Sequence, residues 1–326
     1  MIVPINFHSS QFPETLHAEL LESLRTRRVN HKFHYESRRQ ARRWLAIHQK
    51  YSPSRNDPTC RAIYEDAFAA TAKHIQTPAA HVIGLGCGGG SKDLMLLERI
   101  RKLGKMLVYS ACDSSLPLVL TARQKAMKLL DVRHVHDLVA DLMTAEDLQR
   151  IFITQTTGNS TRVVNFLGMI PNFEPDAILK RLSSLLRPKD MLVFSANLAS
   201  GEDYRAGVEK ILPQYDNPKT REWLTTFLTD IGVEASDGRL EFKVEEDESG
   251  HGLFRVVAWF EFENERVIEV EDEKFSFNPG ERLRLFFSYR HTPKTVREWL
   301  EGEAIEVLEE KIAHGDEEGV FVCRKA

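Results

Sequence analysis

Residues 81–93 read HVIGLGCGGGSKD, and the fold follows from how this stretch is built. His81 to Ile83 open a short apolar run that predicts a strand, and glycines follow at once. From Ser91 to Arg101 the apolar residues Leu94, Leu97 and Ile100 recur at helical spacing. Glycine tolerates positive φ and lets the backbone approach a ligand closely, and the helix N-terminus beyond the turn favours negative charge. Gly84, Gly86 and Gly89 match the G-x-G-x-x-G spacing of nucleotide-binding turns. A plain strand-to-helix turn with no ligand is compatible with the same spacing.

Outward from this turn the chain alternates. MLVYSACD (106–113) reads as a second strand, 115–130 as a helix, and HDLVADL (136–142) contains a third strand. RVVNFLG (162–168) reads as a fourth strand, 175–186 as a helix and MLVFSANLA (191–199) as a fifth strand. Strands alternating with helices at this spacing predict a parallel, doubly wound α/β sheet. The alternation then stops. Residues 203–230 read as helical, and LEFKVEED, LFRVVAWFEFE, RVIEVED, KFSFN and RLRLFFSY follow as strands of an antiparallel meander. A helix at 293–301 and a hairpin turning at Gly315-Asp316 end the sequence. Ahead of the glycine turn, 15–27 and 59–74 have helical spacing, and Pro53 and Pro58 break YSPSRNDPT into a loop.

With 326 residues, 42% of them hydrophobic, the chain can build two domains or one domain with a large insertion. The net charge, 44 minus 48 or -4, argues against a generic nucleic-acid binder. No apolar run approaches the roughly 20 residues that span a bilayer, and MIVPINFHSS has no secretory pattern. Cys60, Cys87, Cys112 and Cys323 form no C-x-x-C pair, which fits reduced thiols and a cytoplasmic location. The histidines show no metal-ligand spacing, so no metal site is expected. The near-neutral total hides an asymmetry. Residues 19–55 are strongly basic, and 234–273 are acidic, with the run Glu245-Glu246-Asp247-Glu248. Such segments either cover one another or mark distinct surfaces.

Three polar residues stand at predicted strand ends. Asp113 can accept both ribose hydroxyls of an adenosine, whether of NAD or of S-adenosylmethionine (SAM). Asp141 can meet the adenine amino group, or cap the helix that follows. Asn172 sits in NFLGMIPNFEP, at the carboxyl edge where substrate meets cofactor in open α/β sheets. An antiparallel hairpin closing a parallel sheet is typical of class I methyltransferases and favours SAM over a dinucleotide.

These motifs, taken in order, resemble the SAM-dependent amino-acid N-methyltransferases typified by the histidine-specific Nα-methyltransferase of ergothioneine biosynthesis. KFHYES looks like the family's N-terminal aromatic segment and KYSPSR its tyrosine-proline-threonine-arginine loop. GLGCGGGSKD is similar to its glycine loop and following lysine; ACDSS and VADL resemble its ribose and adenine segments. NFLGMIPNFEP resembles its phenylalanine-leucine-glycine…asparagine motif and PQYDNP its tyrosine-aspartate motif. The resemblance implies a class I SAM methyltransferase domain at 61–199 and 289–326. It further implies a split α+β substrate domain at 1–60 and 200–288, formed by the N-terminal helices and an inserted antiparallel sheet. Gly84 and Gly86 would shape the cofactor turn, and Lys92, Asp113, Asp141 and Leu142 would hold SAM, with S-adenosylhomocysteine (SAH) as product. Tyr51, Asn172 and Tyr215 would bind the amino and carboxylate ends of an amino-acid substrate, with Tyr51 contacting the reacting amine.

Two positions depart from the family pattern. Ser288 matches the serine that grips the imidazole ring, but Phe286 stands where the partner glutamate belongs, and phenylalanine cannot accept an N–H hydrogen bond. Either the register differs or the side-chain pocket is rebuilt. Pro171 replaces the usual glycine before the asparagine. The expected activity is N-methylation of a free amino acid, histidine or a histidine-like or aromatic relative, by a monomer that binds neither nucleic acid nor membrane. An NAD-dependent oxidoreductase and a non-catalytic SAM-binding protein are the alternatives.

Overall fold

The structure, a computed structural model, describes residues 3–156, 158–248 and 251–326. In chain order it opens with β1 (Asn6–Phe7), α1 (Pro13–Arg25), α2 (Arg38–Tyr51), α3 (Pro53–Asn56) and α4 (Pro58–His74). The alternating section is β2 (Ala79–Leu85), α5 (Ser91–Arg101), β3 (Met106–Asp113), α6 (Leu116–Ala126), β4 (Val135–Val139) and α7 (Leu148–Gln155), then β5 (Ser160–Leu167), α8 (Pro175–Leu185) and β6 (Met191–Asn197). Next come α9 (Tyr204–Lys210), α10 (Leu212–Tyr215) and α11 (Pro218–Asp230). The strands β7 (Gly238–Glu246), β8 (Phe254–Phe262), β9 (Arg266–Val270), β10 (Glu273–Phe277) and β11 (Arg282–Tyr289) follow, and α12 (Pro293–Gly302), β12 (Ile305–Ile312) and β13 (Glu318–Lys325) end the chain.

Two compact units divide these elements. One comprises Met1–Gln11, Pro53–Leu198 and His291–Ala326; the other comprises Phe12–Ser52 and Ala199–Arg290. These bounds differ from 61–199 with 289–326 and from 1–60 with 200–288. Asn6 and Phe7 pair in parallel with Leu138 and Val139, which ties the first residues to the sheet of the first unit. The helix α4 packs its Tyr64, Ala67 and Phe68 against that same sheet, so residues 53–60 go with it.

The first unit is built on an eight-stranded sheet of order β1-β4-β3-β2-β5-β6-β13-β12. Strands from β1 to β6 run parallel, and β13 and β12 close the edge antiparallel. This is the doubly wound sheet with a C-terminal hairpin expected of a class I methyltransferase. Alternation along β2 explains the two layers. Ala80 and Val82 face the cluster made with α4, α5 and α6, while Ile83 and Leu85 face the cluster made with α7, α8 and α12. A parallel sheet covered on both faces favours such largely apolar strands.

The second unit holds a three-stranded antiparallel sheet, β11-β8-β7, and a separate hairpin, β10-β9. The expected five-stranded meander is therefore corrected. The turn at 278–281 hooks onto the end of β8: Gly280 N donates to Phe262 O at 2.7 Å, and Phe262 N donates to Glu281 O at 3.0 Å. That hook starts β11 beside β8 and leaves β9 and β10 to pair with each other. Phe277 of the hairpin stacks on Phe262 at 4.3 Å between ring centroids. The helix α2 begins at a capping box between Ser37 and Gln40.

The acidic segment and all of the basic one up to Ser52 lie in this same unit. They meet in two pairs, Arg25 with Glu273 at 2.6 Å and Arg28 with Glu248 at 3.2 Å, whereas Arg43 at 2.8 Å and Arg39 pair with Glu222 and Asp230 of α11. Exposed pairs of this kind contribute about 0–1 kcal/mol each.

One buried pair matters more to the first unit. Arg162 on β5 is fully buried and donates to Asp190 through Nε at 2.8 Å and to Leu185 O at 3.0 Å. Asp190 also accepts the Arg187 amide at 2.8 Å. Removing one partner strands a buried guanidinium, so Asp190→Ala should cost about 3–5 kcal/mol in chemical denaturation, whereas exposed Glu273→Ala should cost under ~1 kcal/mol.

Candidate active site

The glycine turn is held from below by a carboxylate that sequence reasoning passed over. Asp93, in the first turn of α5, is buried; its Oδ2 accepts Tyr109 O–H at 2.7 Å and its Oδ1 accepts Asn165 Nδ2 at 2.8 Å. A Cβ placed at Gly84 would lie 2.2 Å from that Oδ2. Gly84 is extended strand, so its lack of a side chain makes room for Asp93. Gly86, Gly88 and Gly90 have φ of 59°, 51° and 65°, the left-handed region that favours glycine. A Cβ at Gly86 would meet Met169 Cε at 2.5 Å, and one at Gly90 would meet Ala122 at 2.8 Å. The turn is thus glycine-rich for packing as well as for backbone shape. Among the described residues no side chain caps α5, whose N-cap is Gly90.

Asp113 ends β3 beside this turn. Its Oδ2 accepts Gly88 N at 2.9 Å and its Oδ1 accepts Ser115 N at 2.9 Å. Burial pushes its carboxyl up to about 6, against the pull of these amides. Asp141 accepts Met143 N at 2.8 Å, so it does shape the turn after β4, and its own amide donates to Ser10 Oγ at 3.0 Å. Ser10 belongs to the N-terminal segment that β1 brings to this edge, a placement without any local signal in the sequence. Leu142 is buried, and its carbonyl accepts Arg181 Nε at 2.8 Å.

Lys92 Nζ donates to the Tyr64 hydroxyl at 2.6 Å and lies 3.6 Å from Glu318 Oε1. The loop after β5 starts at Gly168, φ 74°, whose amide donates to Ser195 Oγ at 2.8 Å. It ends in a 3-10 turn, Ile170–Asn172, that presents Asn172.

In the second unit three of the expected residues come together. Tyr215, at the end of α10, places its hydroxyl 2.8 Å from Ser288 Oγ, and Arg290 donates to the same hydroxyl at 3.1 Å. Phe286 lies on the Ser288 side of β11, its ring 5.9 Å from Tyr215 and 5.9 Å from Trp223. A bulge between Arg284 and Phe286 sets this register. Two histidines join the cluster. His31 stands edge-on to Phe286 at 5.1 Å and Phe287 at 4.7 Å, with both ring nitrogens buried and without a partner among the described residues. His34 bonds Leu285 O at 2.6 Å. Burial lowers the His31 pKa, with help from His34 and Arg284, and lowers that of His34 to about 4. Both are neutral at pH 7. HKFH contains them in the sequence, but nothing local marks them as members of this cluster.

Tyr51 is the last residue of α2 and 38% exposed, with the Lys50 ammonium 5.1 Å from its ring centroid. Tyr51 belongs to the second unit and Asn172 to the first. Among the described residues no group of three or more His, Cys, Asp or Glu could hold a metal ion, and no helix is long and apolar enough to cross a membrane.

Carboxy-S-adenosyl-L-methionine synthase of Geobacter metallireducens (strain ATCC 53774 / DSM 7210 / GS-15) is 31% identical over 152 residues, 46% of this chain and 58% of that enzyme. The chain thus spans less than two-thirds of that relative. Among solved structures, the CcbJ methyltransferase of Streptomyces caelestis is 15% identical, with 85% of this chain and 100% of that one covered and a TM-score of 0.42. For the Burkholderia thailandensis 1,6-didemethyltoxoflavin-N1-methyltransferase the identity is 15%, the coverage 88% of each chain and the TM-score 0.44. The NAD reading that the glycine spacing allowed gains no support. The family model described as "Histidine-specific methyltransferase, SAM-dependent" matches residues 16–325, and the chain belongs to that family.

Proposed function

We propose that the protein transfers a methyl group from SAM to a nitrogen of a free amino acid, histidine or a histidine-like or aromatic amino acid or derivative, releasing SAH. The observation that carries this reading is the meeting of Tyr215 and Ser288, 73 residues apart, in one hydroxyl pair beside Phe286. Each was expected separately as a substrate contact, and the fold of the second unit unites them.

The first unit fits the cofactor on its own chemistry. Asp113 is a buried carboxylate that accepts backbone amides including Gly88 N on Oδ2 and Ser115 N on Oδ1, and two carboxylate oxygens have about four lone-pair sites, enough to accept ribose hydroxyls as well. The uncapped start of α5 favours an anionic group. Lys92 offers an ammonium to the methionine carboxylate, and Asp141 and Leu142 stand on the adenine side. Gly84 and Gly86 act by letting the turn take this shape. When bound, SAM supplies an electrophilic methyl group on a sulfonium.

The chain's residues then bind, orient and exclude water. Tyr215 and Ser288 hold the substrate by hydroxyl contacts, Asn172 takes its amino or carboxylate end, and Phe286 offers an aromatic wall where the family has a carboxylate. That exchange favours a ring that needs no acceptor at this point. The amine must react unprotonated, and Tyr51 contacts it directly or through water. The proposed enzyme works as a monomer on a small molecule.

Three measurements test the reading. A mass-spectrometric screen of free amino acids with SAM should give a methylated product from histidine or an aromatic amino acid; no product from any of them, with SAH still bound, would reject the substrate. Tyr215→Phe and Ser288→Ala should each raise the substrate KM about tenfold, from the loss of one or two hydrogen bonds, and leave the SAH Kd unchanged. Binding favours ionised Asp113, so the proton held below about pH 6 must leave first. SAH affinity by titration calorimetry should therefore fall as the pH drops through 6, and Asp113→Asn should be weak at every pH.

A further inference from the structure

We propose that Tyr64 and Glu318 are positioning residues for the Lys92 ammonium, fixing it as the receptor for the carboxylate at the methionine end of the cofactor. The proposal rests on the reading of Lys92 as the carboxylate anchor. All the residues concerned lie in the first unit.

Lys92 occupies an awkward place. It is in the first turn of α5, where the helix dipole disfavours a cation, and its side chain is only 18% exposed. An ammonium there needs compensation. Glu318 on β13 supplies the charge at 3.6 Å, and the Tyr64 ring adds its face at 4.1 Å.

The Tyr64 hydroxyl is the hub. It accepts from Lys92 Nζ at 2.6 Å, donates to Glu318 Oε1, and lies 3.0 Å from Ser195 Oγ. A phenol has one proton, so with that proton on Glu318 its oxygen is left to accept from Lys92 and Ser195. Burial, and then the Glu318 charge, raises the Tyr64 hydroxyl above its ordinary range, which keeps it a donor. The other Glu318 oxygen is taken by the Cys60 thiol at 3.7 Å. Glu318 is thereby spent on its own chain and is poorly placed to serve as a ligand itself.

Lys92 is not spent. Of its three N–H donors one goes to Tyr64, and among the described residues no second hydrogen bond is made. An ammonium steered by two groups, with donors left over, is built to receive an acceptor from outside. The hub also reaches the substrate loop, because Ser195 Oγ accepts the Gly168 amide at 2.8 Å at the start of the loop that carries Asn172. One hydroxyl therefore orders both the lysine and the first residue of that loop.

The test compares two ligands by titration calorimetry. SAH carries the amino-acid carboxylate, and 5′-methylthioadenosine carries the same adenosine and thioether without it. Lys92→Met and Tyr64→Phe should each weaken SAH about tenfold and leave 5′-methylthioadenosine within about twofold of the parent. Glu318→Ala should behave like Tyr64→Phe, while Glu318→Gln, which keeps an acceptor for the tyrosine, should recover most of the SAH affinity. Equal loss of both ligands in Tyr64→Phe would make the network purely structural and overturn the proposal. Unchanged SAH binding in Tyr64→Phe, with Lys92→Met impaired, would leave the lysine as anchor and reject its positioning. Unchanged SAH binding in Lys92→Met would reject the anchor itself, and the proposal with it.

Discussion

The first unit depends on one carboxylate set between three strands. Asp93 leaves α5, enters the space that Gly84 leaves on β2, and takes one hydrogen bond from β3 through Tyr109 and one from β5 through Asn165. Strand order places β2 between those two neighbours, so a single side chain from the helix ties all three at the point where the chain changes direction across the sheet. Burial raises the Asp93 pKa while Asn165 and Tyr109 hold it down. An unpaired carboxylate there would be costly. With both partners in place, the same burial makes the tie strong. The glycine turn, the start of α5 and the end of β3 are all positioned from this tie.

Much of this unit was legible because its signals are local. Ser91–Arg101 and Met106–Asp113 fall where periodicity placed them, since a fully covered parallel sheet leaves apolar runs bounded by turns. What periodicity cannot supply is the partner of a residue. Gly84 and Gly86 read as ligand-facing from their spacing, yet their missing side chains are filled by Asp93 and Met169. The two-residue strand Asn6–Phe7 has too little sequence to show a period, and only its pairing with β4 defines it.

The second unit shows the same limit on a larger scale. Five strands in succession suggest a meander, because neighbours in sequence usually pair. The backbone bonds between Phe262 and the 278–281 turn override that expectation and set β11 against β8. The bulge at Arg284 then decides which residues of β11 share a face. Phe286 and Ser288 keep their two-residue spacing on the Tyr215 side, so the phenylalanine stands in the sequence position of the family's glutamate and also within the cluster that Ser288 and Tyr215 form. The imidazole of His31, neutral and without a hydrogen-bond partner among the described residues, stands beside Phe286 in the same cluster.

Asp93 and Asp113 show how one residue type, repeated near one turn, takes two roles. Both are buried and both accept hydrogen bonds from their own chain. The donors to Asp93 are side chains rooted in the sheet, and the space around it is closed by Gly84. The donors to Asp113 are backbone amides of the turns themselves, those of Gly88, Ser114 and Ser115. Protonating Asp93 would weaken the tie that it makes to β3 through Tyr109 and to β5 through Asn165. Protonating Asp113 would weaken the hold on Gly88, a residue at positive φ in the turn proposed to receive the cofactor. The group that would grip the ribose is also one that holds Gly88 in the turn, so cofactor affinity and the hold on Gly88 would titrate together at Asp113.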